Sequence, residues 1–175
     1  MKRTLTLLLL ALAFYSTAFA CSAPPDEQLT PATELVQRTP TIVLARVTKV
    51  ERGERGTYHY TFKSEKILKG NPADTFIIDG WAPEGADDLE TFDDHKNENF
   101  WKDTSGRCSC SSDCVIHPTF SPRAIYLIFL EAPYHKKSFE RIARLNGGDK
   151  WLTWVEEQIK ANTAKETNPP SPAAK

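Results

Sequence analysis

The sequence contains no run of roughly 18 apolar residues, so it predicts no membrane-spanning helix in the mature protein. It also has no excess of charge of either sign, because 22 Lys and Arg face 23 Asp and Glu. Hydrophobic residues make up 40% of the chain and glycine only 8 of 175 residues, which excludes a disordered or a collagen-like chain. These values are typical of an ordinary folded domain.

Recognisable catalytic motifs are lacking as well. Neither the His-Glu-x-x-His helix of metalloproteases nor the Gly-x-Ser-x-Gly nucleophile turn occurs. The histidines His59, His95 and His135 lie in separate segments outside any such motif. The sequence therefore predicts no enzymatic activity and no cofactor.

The first 20 residues are typical of a secretory signal peptide. Lys2 and Arg3 precede an apolar run that is about half as long as a membrane span, and Ala18 and Ala20 suit cleavage before Cys21. Removing residues 1–20 leaves a chain of 155 residues with 20 cations and 23 acids, a net charge of −3. The sequence thus predicts an exported protein, periplasmic or secreted, with one domain in residues 21–161.

Cleavage makes Cys21 the first residue of the mature chain, which leaves two interpretations open. A bacterial lipoprotein also begins with a cysteine, which carries the lipid that anchors it in the cell envelope. The usual lipoprotein motif has Leu three residues before the cysteine and a small residue two before it, whereas this chain has Ala18 and the bulky Phe19. Export without a lipid anchor is the favoured interpretation, and a lipid anchor is the alternative.

Four cysteines remain after cleavage, namely Cys21, Cys108, Cys110 and Cys114. Because an exported protein meets an oxidising environment, we expect disulfides rather than free thiols. Three pairings are open. A bridge from Cys21 to one of the other three cysteines would close a loop of about ninety residues, and such a cross-link stabilises the fold by roughly 4 to 5 kcal/mol in the chain-entropy model. Acylation of Cys21 would leave one of the other three unpaired.

Two metal sites are possible from the sequence, but both are less favoured than disulfides and a solvated loop. Cys108, Cys110, Cys114 and His117 have a spacing that suits zinc, but export favours their oxidation. Asp93, Asp94, His95 and Glu98 could hold a hard cation, but they lack the spacing of a calcium-binding loop, and a solvated acidic loop is the simpler interpretation.

A cluster of basic residues lies in or near the last predicted strand and consists of Lys136, Lys137, Arg141 and Arg144. Because the mature chain is exported and carries a net negative charge, this patch does not predict nucleic-acid binding.

The pattern along the chain predicts five strands between two helices. A short helix over residues 30–37 has Thr30 as its cap and Pro31 in its first turn. Two long strands then form a hairpin, with a bulge between Val47 and Val50. Asp149 caps the second helix, whose Trp151, Leu152, Trp154, Val155 and Ile159 share one face. The strands are predicted at residues 41–51, 57–68, 75–79, 124–130 and 138–145.

Residues 81–122 form a long loop after the third strand, and the clustered cysteines predict that disulfides staple it. The connections are too short for parallel crossovers, so the fold class is mainly β. We expect a small five-stranded closed barrel, and a sandwich is the alternative. The chain from residue 162 to residue 175 predicts a disordered tail.

The mature start, Cys-Ser-Ala-Pro-Pro at residues 21–25, resembles the N-terminus of the tissue inhibitors of metalloproteinases. The segment LVQRTPTIVLARVTKVE at residues 35–51, EKILKGN at residues 65–71 and AIYLIFL at residues 124–130 after Cys114 are similar to the netrin-like module of those inhibitors. The resemblance covers residues 21–145 and implies a five-stranded OB-type barrel. The chain departs from the family at Ala23, where those inhibitors have a second cysteine, and its Cys108-Ser109-Cys110 has no counterpart.

The resemblance also implies a function. In that family the N-terminal cysteine chelates the zinc of the target protease through its amino and carbonyl groups, and the next residue enters the specificity pocket. These roles would fall to Cys21 and Ser22, with Cys114 as the disulfide partner of Cys21. The expected partner is a zinc metalloprotease, and a structural or binding module of the cell envelope is the alternative.

Overall fold

The computed structural model of the protein describes residues 26–83, 95–97, 99–102, 114–143 and 148–167. The predicted signal peptide and residues 168–175 of the predicted tail lie outside these ranges. The same holds for the predicted site residues Cys21, Ser22, Cys108 and Cys110, for the acidic residues Asp93, Asp94 and Glu98, and for Arg144.

Five antiparallel strands form one sheet, in the order β3-β2-β1-β4-β5. A helix precedes the sheet and another follows it, which confirms a mainly β fold of five strands and two helices. The strands are β1 (Ile42–Arg52), β2 (Tyr58–Lys69), β3 (Thr75–Gly80), β4 (Ile125–Phe129) and β5 (Phe139–Arg141), and the helices are α1 (Ala32–Arg38) and α2 (Lys150–Thr167).

Strands β1 and β2 form the predicted hairpin. Val47 pairs with Phe62 and Lys49 pairs with Thr61, so Thr48 is the extra residue of a bulge. Its hydroxyl donates to the carbonyl oxygen of Thr61 at 3.1 Å. The bulge predicted between Val47 and Val50 is therefore confirmed.

The middle of the sheet is covered on both faces, because successive residues of β1 and β4 point to opposite sides. All five residues of β4 are buried, as their continuous apolar run predicted. The helix-side core includes Ile42, Leu44, Ile125, Leu127 and Phe129 of the sheet with Leu35, Val36, Trp151, Leu152 and Val155 of the helices. The aromatic core on the other face includes Val43, Val47, Tyr60, Phe62, Phe120, Tyr126, Ile128 and Phe139.

The two helices begin differently. Asp149 caps α2 as predicted, since its Oδ1 accepts from the backbone N–H of Leu152 at 3.0 Å. At the start of α1 the capping position is Pro31, which has no side-chain cap, so the predicted cap at Thr30 is wrong. Helix α2 continues to Thr167, beyond the predicted start of the tail at Asn162, because the intervening residues include good helix formers.

The sheet is open, so the expectation of a closed barrel is wrong. Closure requires the two end strands, β3 and β5, to pair with each other. These two strands lie at opposite ends of the sheet and do not pair, and the strand predicted over residues 138–145 is only Phe139–Arg141. The chain that leads back into β4, Cys114–Phe120, lies beside the end of β3 instead. We call it the return segment.

Two contacts fix the return segment against the sheet. The backbone N–H of Trp81 donates to the carbonyl oxygen of Pro118 at 3.0 Å. A Cβ on Gly80 would lie 2.0 Å from that same oxygen, so this close approach requires glycine. At the other end of the segment, the ring of Phe120 is fully buried in the aromatic core. Its ring centre lies 4.9 Å from those of Tyr60, Phe62 and Tyr126, and 5.4 Å from that of Phe139.

We expect Phe120→Ala to lower the free energy of unfolding by about 3–5 kcal/mol, because it leaves a cavity among four aromatic rings. Urea denaturation of the oxidised protein measures this loss. The control is Val115→Ala, since Val115 is exposed and lies in the same segment; we expect a change within about 0.5 kcal/mol. Equal losses in the two variants would show that Phe120 does not anchor the segment.

Candidate functional site

The first described residues lie against the start of the return segment. Gln28 is buried, and its Nε2 donates to the carbonyl oxygen of Cys114 at 2.6 Å. No disulfide joins two described residues, because Cys114 is the only described cysteine, but its sulfur is disulfide-bonded. The structure therefore brings the beginning of the described chain to a disulfide-bonded cysteine.

The turn before β5 holds the same N-terminal residues from the other side. The backbone N–H of Lys136 donates to the carbonyl oxygen of Gln28 at 3.4 Å. The buried ring of His135 donates from Nε2 to the carbonyl oxygen of Thr30 at 2.9 Å, and its Nδ1 accepts from the backbone N–H of Lys137 at 3.0 Å. Residues 28–30 are therefore held at two points.

His135 can make these two bonds only when it is neutral, since one nitrogen donates and the other accepts. Burial is the main reason why the pKa of His135 falls to about 4, and the charge of Lys137 acts in the same direction. A second proton would turn Nδ1 into a donor facing the N–H of Lys137. Acid would therefore break the hydrogen bond between His135 and the backbone N–H of Lys137, whereas Nε2 would continue to donate to Thr30.

A cleft of about 480 Å³ opens beside Gln28 and Cys114. Val115, Ile116 and His117 line it from the return segment, and Tyr134 lines it from the turn between β4 and β5. Trp81 lies next to His117, with ring centres 5.5 Å apart. Trp81 and Val115 are 54% and 48% exposed, so the surface around the cleft presents large apolar side chains. Aromatic side chains of this kind are enriched in protein interfaces.

The buried side chain of Tyr60 positions the exposed Trp81 through a hydrogen bond to its backbone. Its hydroxyl donates to the carbonyl oxygen of Trp81. Burial raises the pKa of Tyr60 to about 12, so the hydroxyl keeps its proton and remains a donor. Tyr60 therefore connects the backbone of Trp81, at the margin of the cleft, to the aromatic core.

A second polar cluster, centred on His95, was not predicted from the sequence. His95 is 4% exposed, and its ring nitrogens contact carboxylate oxygens of Asp149 at 2.8 Å and Glu140 at 3.2 Å. Burial by itself lowers the pKa of His95, but the hydrogen bonds and charges of Asp149 and Glu140 outweigh it and raise the pKa to about 9. Protonated His95 therefore donates to both carboxylates at neutral pH.

This cluster corrects two expectations. His95 is not solvated, because it is buried and its ring contacts Glu140 of β5 and Asp149 at the cap of α2. Two members of the predicted basic patch, Lys137 and Arg141, are buried as well, so they do not form a surface patch. The ammonium of Lys137 lies 4.3 Å from the ring centre of Phe100. The aromatic residues Phe100 and Trp101, which follow His95 in the sequence, are partly buried and pack against the helix-side core.

Of the four residues in the alternative zinc site, the structure describes Cys114 and His117, whereas Cys108 and Cys110 lie outside the described residues. The disulfide removes the thiolate of Cys114 as a ligand, and His117 contacts Trp81. Among the described residues, no three His, Cys, Asp or Glu side chains are grouped so that they could hold a metal ion.

Neither helix in the described part of the chain has the length and apolar character to cross a membrane. Comparison of the chain with protein-family models and with curated proteins found no match.

We expect the two buried histidines to give the protein a stability maximum near pH 6.5. His95 binds its proton more tightly in the folded chain, so its stabilisation is complete below about pH 6.5 and is lost as the pH rises through about 9. His135 binds its proton less tightly when folded, so its stabilisation is complete above about pH 6.5 and is lost as the pH falls towards about 4.

Denaturation between pH 4 and pH 9 measures both slopes. His95→Gln should abolish the alkaline slope and His135→Gln should reduce the acid slope, each by on the order of 2 kcal/mol over its window. His59→Gln is the control, since His59 is much more exposed. A full alkaline slope in His95→Gln would contradict the role assigned to its cluster.

Proposed function

We propose that the protein is an exported, disulfide-stapled protein-binding domain that inhibits a zinc metalloprotease through its mature N-terminus. The observation that carries this proposal is the hydrogen bond from Gln28 to Cys114, beside a cleft with exposed apolar side chains. The resemblance of residues 21–25 to the tissue inhibitors of metalloproteinases supplies the chemistry.

The chemistry needs only the first residue of the mature chain. The α-amino nitrogen and the carbonyl oxygen of Cys21 can bind one zinc ion in a five-membered chelate, and a catalytic zinc keeps one position open for such a ligand. An α-amino group has an ordinary pKa of about 7.7 to 8.0, so zinc competes with only one weakly held proton near neutral pH. Ser22 would then enter the specificity pocket of the protease.

Chain geometry supports a bridge from Cys21 to Cys114. Five peptide steps separate Cys21 from Asp26, and an extended chain spans at most about 3.6 Å per residue, so Cys21 can lie at most about 18 Å from Asp26. Gln28 contacts the backbone of Cys114 itself, which places that cysteine within this reach. The bridge would close the long loop between the chain start and the return segment.

Preorganisation would make such an N-terminus an effective ligand. His135 holds Thr30 and Gln28 holds Cys114, while Pro24 and Pro25 restrict the backbone just ahead of the described chain. A segment that is ordered before binding loses less conformational entropy when it docks. Trp81 and Val115 would extend the contact beyond the zinc.

The alternative from the sequence is a cell-envelope module anchored through a lipid on Cys21. A lipid on the Cys21 thiol would remove the sulfur that the bridge to Cys114 requires. The two proposals therefore make different use of one atom, and the state of the Cys21 sulfur separates them.

The direct test is to insert one alanine between Ala20 and Cys21 and to secrete and process the chain as before. We expect the processed wild-type protein to inhibit at least one member of a panel of zinc proteases. The insertion should weaken this inhibition by roughly 100-fold or more, because the amine is no longer on the residue whose carbonyl completes the chelate.

The matched control carries the same alanine after Lys175 and should inhibit like the wild type. Intact mass confirms each N-terminus, and thermal unfolding confirms that each variant is folded. Equal inhibition with and without the inserted alanine would exclude the chelate mechanism, and absence of inhibition across the panel would exclude the proposed function.

A further inference from the structure

Strand β3 has an open edge. The backbone N–H of Ser64 donates to the carbonyl oxygen of Asp74, which fixes the alternation in the β2–β3 ladder. From that alternation, the peptide groups of Phe76 and Ile78 face β2, whereas those of Thr75, Ile77 and Asp79 face away from the sheet. Among the described residues, none makes a backbone hydrogen bond to these three outward residues outside the strand ladder.

The open edge has defined ends. The outward N–H of Trp81 is already bonded to Pro118, so the return segment closes the edge after Gly80. At the other end the chain bends at Asp74 and turns back to β2. The free window is therefore Thr75–Asp79, and Ile77 lies at its centre with 64% of its surface exposed.

We infer that this window pairs with the same window of a second copy of the chain, in an antiparallel arrangement with a two-fold axis at Ile77. Ile77 then lies opposite its own counterpart, and each Thr75 lies opposite the Asp79 of the other copy. Each of these opposed positions can exchange two N–H to C=O bonds, so all the outward groups of the window are satisfied.

The side chains complement one another in this register. The two exposed Ile77 side chains cover each other, and the hydroxyl of Thr75 can donate to the carboxylate of Asp79. On the opposite face, the half-buried Phe76 lies across from Ile78 of the other copy. No like charges are opposed, and any other register leaves outward groups of the window without a partner.

The composition of the strand permits this pairing. Edge strands commonly carry Lys or Pro to prevent pairing, and β3 has neither. Its one charged residue, Asp79, already contacts Nδ1 of His59 at 2.6 Å. Because only five residues pair, the interface is small and the dimer is weak, so it forms at high protein concentration.

Sedimentation equilibrium of the mature, oxidised protein from micromolar to near-millimolar concentration tests the inference. We expect a monomer–dimer equilibrium in the wild type. Ile77→Lys should raise the dissociation constant by roughly tenfold or more, because it places two ammonium groups against each other at the axis. The control is Ile67→Lys, since Ile67 on β2 is 49% exposed and outside the window; it should dimerise like the wild type.

Amide hydrogen exchange gives a second readout that does not depend on a variant. On raising the protein concentration, the amides of Thr75, Ile77 and Asp79 should become protected, whereas those of Phe76 and Ile78 are protected throughout by β2. If the protein stays monomeric at every concentration, the open edge of β3 does not pair with a second copy, and the inference is overturned. Equal weakening by Ile77→Lys and Ile67→Lys would overturn it too.

Discussion

Burial of the Phe120 ring among four aromatic side chains is the contact on which the functional surface depends. It fixes one end of the return segment inside the aromatic core, and Pro118 then meets the end of β3. From this position the carbonyl group of Cys114 reaches Gln28, so the beginning of the described chain is placed by the core of the sheet. The exposed Trp81 belongs to the same arrangement, because Tyr60 supports it from the aromatic core.

Hydrogen bonds of two buried histidines fix further parts of the chain around the aromatic core. His135 holds the N-terminal residues as a neutral ring, whereas His95 joins the long loop to β5 and α2 as a cation. Burial by itself lowers the pKa of both rings. It prevails at His135, whereas at His95 the hydrogen bonds and charges of Asp149 and Glu140 outweigh it, so the two pKa values move in opposite directions. The surface that we propose to bind a protease is therefore held by groups that are in their required charge states near neutral pH.

Local patterns in the sequence predicted much of the fold. The hairpin, its bulge, the doubly buried β4 and the cap at Asp149 follow from alternation, apolar runs and capping chemistry within short stretches. Closure of the barrel could not be predicted this way, because it depends on how many residues of β5 pair with a strand far away in the sequence. The pattern overestimated β5, and the return segment took the place beside the end of β3.

The polar residues were harder to predict, since their environment is made by distant elements. Lys137 and Arg141 read as a surface patch in the sequence, and the partners that bury them come from elsewhere in the fold. His95 read as part of an acidic loop because Asp149 lies 54 residues away. For the candidate site, the sequence indicated Cys114 and the mature N-terminus. The contacts of Gln28, Thr30 and His135 could not be predicted, because their partners are distant in the sequence.

We propose that the functional group of this protein is the mature N-terminal Cys21, tied to the return segment through Cys114. Disulfide mapping of the processed protein by mass spectrometry examines this bond itself. We expect a peptide that begins at an unmodified Cys21 α-amino group and is disulfide-linked to Cys114. An acylated Cys21, or a disulfide that joins Cys114 to Cys108 or Cys110, would refute the proposal.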